Sequence, residues 1–347
     1  MIALTMGQSL HKPRNKAADS SMSSSSPSSK YSRRAYHAGS WYDSDKNTLD
    51  ATLSKFLADA SKNITPSNNT TEGIPRACIC PHAGFSYSGP TAAYSYLALK
   101  EALERNPSIR TVVVLHPSHH VYLESCAVSG ASTIETPLMN LAVDDALRDQ
   151  LLSTGKFEIM NQRVDEREHS GEMQYPFIAK ILMSVCSQEE IKVLPIMVGS
   201  IRTSKEEFYG KLIASYLADE SIFTVISSDF CHYGQRFSYS PRPKPSEVSE
   251  QGINELFEYI EYLDKKGMDL IELQRPGAFA DYFREYSNTI CGRHPIAVWL
   301  NAVVANSENG TEELDVRFVR YAQSSQVRSS NDSSVSYASA VARVTGS

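Results

Sequence analysis

The sequence predicts an α/β fold: a single domain built on a layered, mixed and largely parallel sheet flanked by helices. Three observations carry that expectation. Short apolar runs that read as strands alternate with segments whose apolar residues recur at helical spacing, the pattern of βαβ units. Three of those runs end in histidine-bearing segments, CICPHAG (78–84), VVVLHPSHH (112–120) and VISSDFCH (225–232), so the strands deliver imidazoles to one edge. The last two runs, LDVRFVRYA (314–322) and SSVSYASAVARV (333–344), alternate apolar with polar and read as an antiparallel pair.

The N-terminus stands apart. The tract SSMSSSSPSS (20–29) is flanked by Lys12, Arg14, Lys16, Lys30, Arg33 and Arg34 with Asp19 as the one acid, and such a composition cannot bury enough apolar surface to fold. Residues 1–34 are expected to be a disordered, Ser-rich basic tail, and residues 35–347 the folded domain. A transit-peptide role ranks below that reading because no apolar helical stripe runs through the tail.

After HAGSWY (37–42), a helix is expected from about 44 to 60, with Leu49, Leu53, Phe56 and Leu57 at helical spacing and Ser44 or Asp45 as cap. ITPSNNTTEG (64–73) reads as a loop. A strand at 76–80, a helix at 90–104 and strands at 110–116 and 125–129 follow. The alternation continues with a helix at 171–186, a strand at 191–198, a helix at 204–218 and a strand at 222–227. Beyond the proline-rich SPRPKP (240–245), helices are expected at about 247–265 and 277–286.

Composition narrows the function. The 347 residues are 41% hydrophobic, enough for a sizeable core, and the net charge of −6 gives no electrostatic footprint for nucleic acid. Six cysteines without framework spacing fit a reducing compartment, so the expected location is the cytoplasm, with the nucleus as a second compartment. No run approaches the roughly 18 to 20 apolar residues that a membrane-spanning helix needs. Neither GxGxxG nor GxxxxGK[ST] occurs, which leaves nucleotide binding unsupported, and without a GxSxG elbow a serine hydrolase is unsupported too.

In open α/β sheets ligands bind beyond the carboxyl ends of the strands, so His82, His119, His120, His232 and Asp229 can converge although far apart in sequence. A metal site is the natural reading. NTICGRHP (288–295) adds Cys291 and His294 before an apolar helical stretch, and a thiol there can complete the cluster. His82 sits in Pro-His-Ala-Gly, presented at a loop rather than packed in a core. His119 and His120 are adjacent and cannot easily both face one ion. Glu168, His169 and Glu172 read equally well as cleft residues and as a helix cap with a helix-face carboxylate. Trp41, Tyr42 and Tyr87 are expected to wall the pocket.

The segments YHAGSWY, CPHAGFSYSGP, HPSHHVYL, EHSGEMQYPF, LPIMVGS, SSDFCHYGQRF, NTICGRHPI, YAQSSQ and DSSVSYA, in this order, resemble the Memo family, named for mediator of ErbB2-driven cell motility. The resemblance runs from Tyr36 to Ala342 and covers essentially the whole domain. It implies a fold similar to that of the class III extradiol dioxygenases, non-haem iron enzymes that open catechol rings. It assigns His82 and His119 to a metal and leaves His120 in a supporting place. Cys291 falls where those enzymes complete two histidines with a glutamate, and the softer thiolate puts ring cleavage in doubt and shifts preference toward copper or zinc while still allowing iron; the cofactor expected is copper or iron, with a zinc hydrolase ranked last. His232 falls at the place of an acid/base histidine, with Asp229 to orient it. Cys231, between them in register, is expected to point away. His116 departs from the family's small residue at that position and reads as a strand-end histidine near the cleft.

Two functions follow from the resemblance. One is a metal-dependent oxidoreductase or oxidant-producing protein acting in redox, morphogenesis or motility-type signalling. The other is a non-catalytic module that binds a signalling protein or peptide in a vestigial dioxygenase cleft. A phosphotyrosine pocket needs an arginine cluster, and Arg236 and Arg293 alone are too few to make one.

Overall fold

The computed structural model describes residues 30–63, 73–185 and 190–345. Residues 1–29 of the expected tail, and residues 64–72 of the expected loop, lie outside the described residues. Four strands form the centre of the main sheet: β2 (Pro75–Cys80), β9 (Ile222–Ser227), β3 (Thr111–Pro117) and β8 (Lys192–Val198), neighbours in that order and all parallel. Their residues are buried along almost the whole length, because helices cover both faces and a parallel sheet tolerates no wet side.

The edges make the sheet mixed. On one side β4 (Cys126–Ser129) runs antiparallel to β8 and carries β7 (Phe157–Met160) parallel to itself. On the other side the long β12 (Ser334–Val344) runs antiparallel to β2, and both β11 (Leu314–Gln323) and β10 (His232–Tyr233) pair antiparallel with it. The two alternating C-terminal runs thus pair as their pattern predicts. The fold class is α/β, with helices packed against a mixed sheet whose core is parallel.

Helix α1 (Lys46–Asn63) packs on α2 (Phe85–Arg105), and α7 (Thr203–Leu217) packs on α11 (Arg293–Glu308). Helix α2 starts at Phe85, ahead of the expected start at 90, and carries Pro90 inside it. Tyr87 N and Ser88 N both donate to Gly84 O at 2.9 and 3.1 Å, and this turn precedes the proline. Two other helices are split. The expected 171–186 helix is α5 (His169–Glu172) followed by α6 (Tyr175–Ser184), and the expected 247–265 helix is α8 (Pro245–Gln251) followed by α9 (Leu256–Glu272). Gly252, at φ 66°, ends α8 in the left-handed conformation that glycine adopts without steric cost.

The boundary of the tail moves. Tyr31–Arg33 forms β1, which pairs parallel with β5 (Ala131–Ile134), itself antiparallel to β6 (Leu141–Ala142), in a small second sheet. Arg33 is completely buried. Its Nε donates to Asp165 Oδ1 at 2.9 Å and its Nη1 to Glu172 Oε2 at 2.7 Å, while Nη2 donates to the carbonyls of Asp165 and Glu168. A composition argument averages over a window and therefore misses one arginine whose partners stand more than a hundred residues away.

Candidate metal centre

The loops after β2, β3 and β9 reach the same end of the sheet, and the turn before α11 closes on them. Gly292 lets that turn approach: a Cβ there would come within 2.3 Å of Ser228 Cβ and 2.5 Å of Ser227 O. Its N–H donates to Ser228 Oγ at 3.1 Å, which pins the residue after Cys291 to the end of β9. His82, His119 and Cys291 are consequently brought together, with one ligand-capable atom from each within 4.8 Å of the others. His82 Nε2 and Cys291 Sγ lie 3.0 Å apart.

Neighbours fix which ring nitrogen each histidine offers. Ser227 Oγ spends its hydrogen on Ser170 O (2.8 Å) and accepts from Gln174 Nε2 (3.0 Å), so its contact with His82 Nδ1 at 2.7 Å needs a proton on that nitrogen. His82 Nε2 then carries a lone pair toward Cys291. His119 Nδ1 lies 2.8 Å from Glu168 Oε1, and His119 N donates to Glu168 Oε2 at 2.6 Å. The carboxylate thus holds the ring by one nitrogen and leaves Nε2 for the cluster, the carboxylate–histidine arrangement common behind metal ligands. Ser170 N and Ser170 Oγ also donate to Glu168 Oε1, at 3.0 and 2.8 Å.

Electrostatics separate the two imidazoles. Burial and the nearby His119 and His169 push His82 well below the usual histidine range, so it is neutral. Burial opposes charge on His119 as well, but Glu168 and Cys291 overcome it and raise His119, while the same partnership holds Glu168 well below the usual carboxylate range. Burial pushes the Cys291 thiol up, against the pull of His119. Without an ion, the cluster therefore contains a neutral imidazole, an imidazolium–carboxylate pair and a protonated thiol.

The other candidates take distinct places. Asp229 is buried and its Oδ1 accepts from His82 N (2.8 Å) and Ala83 N (3.3 Å), so it grips the loop that carries the ligand rather than orienting His232. Burial lifts its carboxyl to about 7 against those two hydrogen bonds. His232 is positioned by the 288–291 turn: its N donates to Thr289 Oγ1 at 2.8 Å, and Nδ1 faces the carbonyls of Phe230 and Thr289 at 2.9 and 3.2 Å. Two carbonyls require a proton on Nδ1 and leave Nε2 as acceptor; burial lowers this group to about 4. Cys231 points away, into an apolar cluster with Tyr233, Leu256, Ile260 and Val327.

The ambiguous triplet divides. Glu168 both caps α5 and holds His119. His169 stacks between His119 and Trp41, with ring centroids 4.5 and 4.4 Å away. Together with His119 and Glu168 it forms a second group able to hold an ion. Glu172 faces Arg33, His37 N and Tyr42 Oη instead. Tyr42 is thus buried structure rather than pocket wall, and Tyr87 is largely exposed. His120 is exposed. His116 is buried, with Nδ1 on Pro117 O and Ser170 Oγ and with Nε2 lacking a partner among the described residues. His294 leaves the cluster altogether and bonds Glu206. Ser227, Gln174 and Thr289 escaped the sequence reading, and no spacing signal marks them.

A family description, Memo-like protein, matches residues 33–341. The chain belongs to the Memo family. It is 44% identical to Protein MEMO1 of Danio rerio and 43% identical to Protein MEMO1 of Homo sapiens, each over 307 residues that cover 88% of this chain and 95% of the relative. It is likewise 44% identical over 314 residues to the Protein memo-1 homolog of Caenorhabditis elegans, covering 90% of this chain and 82% of that one. This Memo-family chain has no helix, among the described residues, long and apolar enough to cross a membrane.

Proposed function

We propose that the cleft binds a redox-active metal, copper or iron, through His82, His119 and Cys291, and that the protein acts through it in redox, morphogenesis or motility-type signalling. The observation that carries this reading is the donor set. Two imidazoles have their second nitrogens engaged by Ser227 and Glu168, so His82 Nε2 presents a lone pair beside the thiol and His119 Nε2 presents one there once an ion displaces its proton. An ion bonded at about 2.0 Å to nitrogen and about 2.3 Å to sulfur puts such donors roughly 3.5 Å apart in tetrahedral geometry. Donors already within 4.8 Å of one another need only small adjustments to reach that spacing.

Copper or iron held there supplies one-electron exchange, and a thiolate ligand is itself oxidisable. The chain's own residues do the rest. Asp229 fixes the His82 loop, Glu168 orients His119, and His232 offers Nε2 as the acceptor of a proton from a bound molecule. The alternative, a peptide-binding module in a retired dioxygenase cleft, is favoured by exposed aromatics near the ligand-bearing loops: Tyr87 after His82 and Tyr122 after His119.

Elemental mass spectrometry of the full chain, purified anaerobically, decides between them. Near-stoichiometric copper or iron that is absent from the His82→Ala/Cys291→Ser double variant supports the metal reading. Metal-free wild type, or metal retained by the variant, rejects it in favour of the peptide module.

A further inference from the structure

Two residues beyond Cys291 the chain enters a different cavity. Its volume is about 390 Å³, within the range of roughly 300 to 1,000 Å³ typical of small-molecule sites, and Arg202, Thr203, Glu206, Phe279, Phe283 and Arg293 are among the residues that line it. None of the metal-capable residues lines it. Its walls come from the start of α7, from α10 (Pro276–Tyr286) and from the first turn of α11.

Arg293 is held in place there. Its Nε donates to His294 Nε2 at 3.1 Å, and His294 Nδ1 in turn donates to Glu206 Oε1 at 2.5 Å. Because His294 Nε2 accepts, its proton must sit on Nδ1, and the relay fixes the imidazole and the guanidinium. Arg293 also lies over the Phe283 ring, 5.3 Å from its centroid. Only Nε is used; no acceptor for its two η nitrogens occurs among the described residues. Arg202 also has no hydrogen bond or ion pair from its side chain among the described residues, and the carboxylate that feels its charge is Glu124. Arg284, a third guanidinium in the lining, is already paired with Asp281.

The charges select the ligand. Arg202 and Arg293 contribute two positive charges and Glu206 one negative, which leaves one to be matched by an anion. A planar guanidinium with two free η nitrogens fits a carboxylate bidentately. Phe279, Phe283, Ile201 and Ala297 give the remaining wall an apolar character. We propose that this cavity binds a small monocarboxylate with an apolar body, its carboxylate gripped by Arg293 and Arg202 and its body laid against Phe279 and Phe283.

The test is calorimetric titration of the full chain with benzoate and hexanoate, with benzamide as the uncharged isostere of benzoate. Saturable binding of a carboxylate is expected, weaker by at least about tenfold for benzamide and for the Arg293→Gln variant, as the loss of a charge-assisted pair implies. Arg293→Lys, which keeps the charge without the planar fork, should weaken binding as well. His82→Ala/Cys291→Ser should bind like wild type, which separates this cavity from the metal-capable cleft. An absence of saturable binding by either carboxylate, equal affinity in wild type and Arg293→Gln, or binding lost in the His82→Ala/Cys291→Ser variant overturns the assignment.

Discussion

Two buried polar clusters lie on either side of α5, and they differ in what their atoms have left to do. Around Arg33, both carboxylates point at the guanidinium: Asp165 takes Nε and also accepts from Tyr31 and Ser129, and Glu172 takes Nη1 and accepts from Tyr42. Nothing there is available to a ligand. Around His82 and His119, the engaged atoms face outward to Ser227 and Glu168, and the remaining ring nitrogens converge with the thiol. Burial and charge alone do not mark a site. A cluster whose valences close on themselves is an anchor, while one whose valences converge on a point is built for a guest.

That distinction is easiest to break at the anchor. Arg33→Ala leaves Asp165 and Glu172 as buried carboxylates without a cation, which typically destabilises by about 3 to 5 kcal/mol. Chemical denaturation of the full chain should show a loss of this size with no specific effect on metal stoichiometry in the fraction that folds. A loss under about 1 kcal/mol would mean that β1 is not an anchor but a dispensable strand.

At the site the expected order is reversed, with binding affected more than folding. Glu168→Gln keeps the size of the side chain but removes the negative charge that orients His119, and losses of about 10- to 100-fold in metal affinity are usual for such partners. Competition with a chelator measures it. Unchanged affinity would mean that His119 is oriented by its backbone alone. Protonation gives a second measure. Because His119 is raised and Cys291 is raised, both hold their protons near neutrality, and a metal must displace roughly two of them. Affinity should therefore rise with pH, and titration in buffers of different ionisation enthalpy should count the release. Release of no protons would exclude Cys291 and His119 as ligands.

The comparison also explains what the sequence could reveal. Strand β9 was legible to the residue, since a fully buried parallel strand is a bare apolar run, and the histidines at the ends of β2 and β3 were legible as loop residues at one edge. The anchor was not legible. Arg33 lies in a basic, serine-rich stretch, and its value depends on Asp165 and Glu172, which only the folded chain places beside it. The helix breaks before Tyr175 and at Gly252 were hidden for a related reason: apolar spacing continues through both, and the interruption comes from local geometry. Within EREHSGEM the residue types were visible, but their division between site and anchor turns on which way each side chain of a short helix faces.

The smallest effect concerns the two supporting residues, and it is one of sign. The His232 pKa is lowered from 6.5 to about 4, so its contribution to stability is present above the unfolded value and is lost as pH falls through about 4. The Asp229 pKa is raised from 3.8 to about 7, so its contribution is full below the unfolded value and is lost as pH rises through about 7. Between these limits the two trends oppose each other and flatten the stability of the metal-free protein. His232→Gln removes the term that penalises acid, and stability should then climb as pH falls from about 7 toward 4 relative to wild type. Asp229→Asn should tilt the same curve the other way. Denaturation midpoints of metal-free protein at several pH values read both tilts, and tilts of the same sign in the two variants would show that the pair does not balance.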